Sequence, residues 1–142
     1  MKKTIVITFL FVLSIVGVSF AEPTVTSEQG KRITGIVIDA HGMGLETGMS
    51  PTIYDKNGQV VNNIIPDDLS WISKNGVVDY YDSIKEVSDG KSRVGENYIL
   101  IKAIEVRDFK ANPVISIDDA KKLKSLPEFN DILKKSNIVF IK

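Results

Sequence analysis

No cysteine occurs anywhere in a chain whose first 21 residues, MKKTIVITFLFVLSIVGVSFA, have the layout of a secretory signal. That pairing constrains the fold more than any other feature. Lys2 and Lys3 form the positive n-region, Thr4 to Val18 an uncharged apolar core, and Ser19-Phe20-Ala21 a small-x-small cleavage site. The apolar core falls short of the roughly 20 residues a helix needs to span a bilayer, so cleavage after Ala21 is expected. Small exported domains commonly supplement a limited core with disulfides. Without cysteine, this one must be stabilised by its hydrophobic interior.

The size permits it. A chain of 142 residues suits one domain, and a domain near this length buries roughly two-thirds of the surface its unfolded chain exposes. The expected organisation is a signal peptide over 1–21, a flexible polar stretch over 22–30 (EPTVTSEQG runs from 22 and ends at Gly30), and a single domain over 31–142. Basic and acidic side chains balance at 18 each, and losing Lys2 and Lys3 with the leader leaves a slight acidic excess. No basic cluster with interleaved aromatics compensates, which argues against nucleic acid or anionic lipid surfaces as partners.

Along the domain, Arg32 to Asp39 reads as a strand covered on both faces. Asn57-Gly58, between Ile53-Tyr54 and Val60-Val61, predicts a hairpin with a type I′ turn. Pro66 and two acids precede a short helical turn carrying Leu69, Trp71 and Ile72, ended by Asn75-Gly76. Val77 to Tyr81 reads as a short strand, followed by a helix capped by Asp82 and stopped at Gly90. Tyr98 to Val106, the longest apolar run after the leader, predicts a central strand. Ser116-x-x-Asp119 and Ser125-x-x-Glu128 resemble two helix caps, with Phe129, Ile132 and Leu133 on one helical face, and Ile138 to Ile141 makes a last strand. The fold class is α+β: a mixed sheet with a β-hairpin and two C-terminal helices packed on it.

The stretch GIVIDAHGMGLETGM contains the only histidine, His41, close to Asp39 and Glu46. IVIDAHG is similar to the opening strand and turn of the zinc-dependent N-acetylmuramoyl-alanine amidases, whose first metal histidine follows such a segment. Those enzymes usually place Pro-Gly where this chain has Ala40 alone, and their site needs a second histidine. Catalytic zinc normally takes three protein ligands, histidine prominent among them. No GxSxG elbow supports a serine triad through His41. Gly42-x-Gly44 follows a strand as a dinucleotide loop would, but Pro51 and a new strand arrive where that mechanism needs a helix. DKNG lacks the spacing and closing glutamate of a calcium loop. No catalytic, metal or cofactor residue is therefore assigned, and the glycines are expected to form a tight corner.

The order IDAHGMGL, MSPTIYDKNGQVV, VGENYILIKAIEV, PVISIDDAKKL and LKKSNIVFIK resembles an exported bacterial module of small envelope lipoproteins, some linked to flagellar outer-ring or basal-disk assembly. The resemblance implies a fold and an envelope setting but no reaction, and it implies arginine as a frequent occupant of the His41 position. Lacking cysteine, this chain departs from the lipoprotein members and cannot be acylated by their route. The expected function is non-enzymatic: an exported domain, periplasmic or secreted, that binds or scaffolds envelope proteins, with Asp39, His41, Glu46, Trp71, Tyr80 and Tyr81 as the possible contact surface. The alternatives are a small periplasmic hydrolase using Asp39, His41 and Glu46, or an accessory module binding an ion or ligand.

Overall fold

The computed structural model describes residues 30–89 and 91–142. The expected leader and, apart from Gly30, the expected polar stretch lie outside them, as does Gly90. No helix of the described residues is long and apolar enough to cross a membrane.

The fold is α+β, and its strands divide between two sheets. The larger contains β1 (Gly35–Asp39), β3 (Asp79–Tyr81), β4 (Tyr98–Lys102) and β7 (Ile138–Ile141) in the order β3-β7-β1-β4, every neighbouring pair parallel. The smaller contains β2 (Tyr54–Asp55), β5 (Glu105–Arg107) and β6 (Asn112–Ile115) in the order β2-β6-β5, with β2 parallel and β5 antiparallel to β6. Parallel sheets are stable only when covered on both faces. Strands β1 and β7 accordingly form the centre and are almost wholly buried.

Alternation sorts the side chains between two cores. Ile36, Ile38, Ile138 and Phe140 face the main core, where they meet Ala120 and Leu123 of α3 (Ile117–Lys124), Phe129, Ile132 and Leu133 of α4 (Phe129–Lys134), and Ile53 and Ile115 of the small sheet. Val37, Val139 and Ile141 face a smaller core closed by Val94 and by Val87 of α2 (Ile84–Ser88). Gly35 starts β1 because the chain presses there: a Cβ at that position would fall on the Val94 backbone and side chain.

Several local expectations are corrected. Tyr98–Val106 is not a central strand: β4 forms an edge, and the chain leaves it at Ala103, whose N–H donates to the Asp39 carbonyl. Ile104 N–H then donates to Val114 in the other sheet. The run is apolar because it serves two sheets in succession. The hairpin at 54–60 forms, but only Gly58 of its turn has positive φ, at 81°. Gly58 N–H closes on the Asp55 carbonyl and the Asp55 carboxylate takes the Asn57 and Gln59 N–H groups, an ordinary turn with a glycine bulge.

Helix α1 (Leu69–Asn75) is capped by Asp68, whose carboxylate accepts from Trp71 N–H. Ser83 rather than Asp82 occupies the cap position of α2, and Asp82 N–H instead donates to Glu86 Oε2. Ser116 caps α3 as expected, accepting from Asp119 N–H and donating to its carboxylate. Ser125 is not a second N-cap. It ends α3, its hydroxyl donating to the Lys122 carbonyl, and Glu128 stands at the entry to α4 without a side-chain cap bond. Helix α4 ends in a Schellman motif: Asn137 N–H reaches the Ile132 carbonyl, Ser136 N–H reaches Leu133, and Ser136 takes the left-handed position at φ 54°.

Candidate functional site

All four strands of the parallel sheet end on the same side, where ligands of open α/β sheets commonly bind. The glycine corner caps this carboxyl pole. Ala40 is buried and donates its N–H to the Ile141 carbonyl, tying the corner to the end of β7. The Asp39 carboxylate accepts His41 N–H at 2.9 Å, and Gly42 and Gly44 take positive φ values of 78° and 70°. Only glycine adopts such angles without strain, so the glycines shape the corner. The His41 side chain is left exposed.

Beyond Leu45, which anchors the loop in the core, Glu46 N–H donates to the Lys110 carbonyl at 2.8 Å. Gly48 N–H donates to Tyr80 Oη at 2.9 Å, and the phenol donates back to the Gly48 carbonyl at 3.2 Å. Burial raises the Tyr80 pKa above 10.0, with the Gly48 hydrogen bond opposing in part. Tyr81 faces the other side of β3 toward the smaller core. Its pKa is also raised, first by burial and then by the Asp79 carboxylate.

Asp39 and His41 therefore share the pole with Glu46, Tyr80 and Tyr81, whereas Trp71 stands at the opposite end. There, at the amino pole, Arg93 lies 4.8 Å over the Trp71 ring, 3.3 Å from Asp79 at the start of β3, and donates to the carbonyls of Asn75, Gly76 and Ser136. The contact surface expected from sequence is thus split between two poles.

A cavity of about 240 Å³ opens beside the corner, with Asp39, His41, Asp82 and Ser83 around Ile84 and Ile141. Glu46 is not among its lining residues. Among the described residues no group of three His, Cys, Asp or Glu side chains is arranged to hold a metal ion. The cavity offers one imidazole and two carboxylates over an apolar floor, a setting for a polar contact.

The most exposed apolar side chains of the pole escaped the sequence reading. Phe109 is 98% exposed and Met49 86%. Phe109 is the middle of three consecutive residues, Asp108, Phe109 and Lys110, with φ of 52°, 60° and 62°. Each left-handed non-glycine residue costs about 1–2 kcal/mol. The turn is nevertheless fixed: Asp108 accepts from the Asn112 amide, Asn112 Oδ1 accepts from Thr52 N–H, and the Lys110 carbonyl receives Glu46. A signal was present in the sequence, an aromatic within a polar DFKAN joint between two strand-like runs.

Residues 35–142 match the family model described as Treponema pallidum Tp0624, second domain. No curated protein matches the chain.

Proposed function

The chain belongs to the family of the second domain of Treponema pallidum Tp0624, and from that premise we propose that it is a non-enzymatic exported envelope domain that binds other proteins through its carboxyl pole. The observation that carries this reading is Phe109: a fully exposed aromatic held on a strained but firmly bonded turn. Strain of this kind persists where surrounding structure over-determines it, and it clusters at sites of recognition. Aromatics are also the residues most often found anchoring protein interfaces. Met49 is a second exposed apolar side chain, and Asp39, His41 and Glu46 supply polar groups of the same pole.

A periplasmic or secreted location, and a place beside flagellar outer-ring or basal-disk assemblies, belong to the same proposal and rest on the leader-like N-terminus and the sequence resemblance. The second reading, a small hydrolase, draws on Asp39 and His41 meeting at one cavity. Cross-linking in envelope fractions followed by affinity capture tests both. A reproducible neighbour lost on Phe109→Gly and retained on His41→Arg supports protein binding. Capture indifferent to Phe109→Gly overturns it, and a hydrolytic activity abolished by His41→Arg establishes the second reading instead.

A further inference from the structure

The amino pole carries a feature that complements the Phe109 turn. Asp67, Asp68, Trp71, Ile72, Lys134 and Lys135 line a cavity of about 240 Å³ between the start of α1 and the end of α4. Trp71 is 39% exposed there, and Leu69 of the same helix is 62% exposed. The rim is divided by charge: the two aspartates come from the entry to α1, and the two lysines from the exit of α4. The Asp67 N–H bond to the Lys134 carbonyl, at 2.9 Å, holds the two sides together.

The Phe109 turn carries the matching pattern. One apolar side chain projects between an acid, Asp108, and a base, Lys110, all three exposed. From these two surfaces we infer that the chain associates head to tail with a second copy of itself. Phe109 enters the Trp71 cavity, Asp108 faces Lys134 and Lys135, and Lys110 faces Asp67 and Asp68.

The poles are opposite. The turn follows β5, reached through Ala103 beyond the carboxyl end of β1, whereas the cavity lies beside Arg93, Asp79 and Ser136, where β3 and β7 begin. A contact between opposite ends of identical subunits is heterologous, so repetition of the contact generates a ring or an open filament. This deepens the reading of the carboxyl pole as a protein-binding surface, naming its partner as another copy of the chain.

The natural absence of cysteine permits a direct test. Full-chain protein is prepared in two single-cysteine forms, Ala111→Cys beside the turn and Ser70→Cys beside Trp71, one half-exposed and one exposed position that leave Phe109, Trp71 and the charged groups of both surfaces in place. The two are mixed with a short thiol-specific cross-linker. The mixed product is expected in excess over either homodimer, and it is expected to be lost when Phe109→Gly is added to the Ala111→Cys form. No mixed product, an equal yield from the Ala111→Cys form alone, or a yield indifferent to Phe109→Gly overturns the inference. If the mixed product is absent while Phe109-dependent capture of another envelope protein persists, self-association falls and the broader reading stands.

Discussion

The phenol of Tyr80 and the peptide of Gly48 hold each other in both directions, at 2.9 Å from Gly48 N–H and 3.2 Å to the Gly48 carbonyl. The ring meets Phe140 edge-on, centroids 5.8 Å apart and planes at 86°. One side chain thus joins the edge strand, the centre of the sheet and the loop beyond the glycine corner. Tyr80→Phe retains the ring packing and strips both hydrogen bonds. A loss of about 1–2 kcal/mol is expected in urea unfolding, because the half-buried Gly48 groups lose their partner. A change within about 0.3 kcal/mol, small against a typical hydrogen bond, would show that Leu45 and Lys110 suffice to hold the loop.

The same phenol sets a pH dependence. Burial places the folded-state pKa values of Tyr80 and Tyr81 above 10.0, so the fold favours their protonated forms. A folded-state pKa above the unfolded value means that the native state binds more protons as titration begins. The tyrosine contribution is therefore complete below about pH 10 and declines as pH rises through the shifted values. Thermal melts on either side of that pH should show the midpoint falling above it, and falling less in a Tyr80→Phe, Tyr81→Phe double variant.

Arg93 serves as the keystone of the amino pole. Its side chain is only 9% exposed, stacks on Trp71, approaches Asp79 and donates to three carbonyls from two segments of chain. Arg93→Met keeps the apolar stem and leaves those carbonyls with fewer partners, so a loss of about 3 kcal/mol is expected in chemical denaturation. Arg93→Lys should recover little of it. An ammonium lacks the planar fork needed to reach the carbonyls of both segments while lying over the indole. Recovery of wild-type stability by lysine would reduce the role of Arg93 to simple charge.

Much of this architecture was legible from local chemistry. A strand ending at Asp39, a helical turn after two acids, the Ser116 cap, the C-terminal helix pair and the last strand all follow from patterns confined to a few neighbouring residues, although the first strand begins at Gly35 and not at the expected Arg32. What escaped depends on distant partners. Nothing near Tyr98–Val106 indicates that Asp39 will draw Ala103 while Val114 draws Ile104 into another sheet. Gly35 needs to be glycine only because Val94 arrives against it. The separation of the expected contact residues has a related cause: Trp71 lies under Arg93, which reaches Asp79 at the start of β3, whereas Tyr80 reaches Gly48 beyond the opposite end of the sheet.

Ser136 offers a stabilising substitution. It occupies the left-handed position of the α4 Schellman motif, is fully buried, and its hydroxyl has no hydrogen-bond partner among the described residues. Glycine is the usual occupant because it lacks the Cβ that makes this conformation unfavourable. Ser136→Gly removes both the strain and the unpaired hydroxyl. A gain of about 1 kcal/mol is expected, read as a higher denaturant midpoint at unchanged slope. A loss would mean that the Ser136 side chain fills space the surrounding core needs.

Phe109 should separate stability from function. Its ring is almost entirely in solvent, so removing it forfeits little packing, while its φ of 60° favours glycine. Phe109→Gly is therefore expected to raise stability by about 1 kcal/mol, with the neighbouring Asp108–Asn112 and Lys110–Glu46 hydrogen bonds keeping the turn in place. The same substitution is expected to abolish capture of the partner. A residue that destabilises the free protein and strengthens recognition shows the stability–activity trade-off found at binding sites. Denaturant melts beside capture yields check both halves, and a Phe109→Gly protein that is less stable than the parent would indicate that the ring supports the turn instead of presenting a contact.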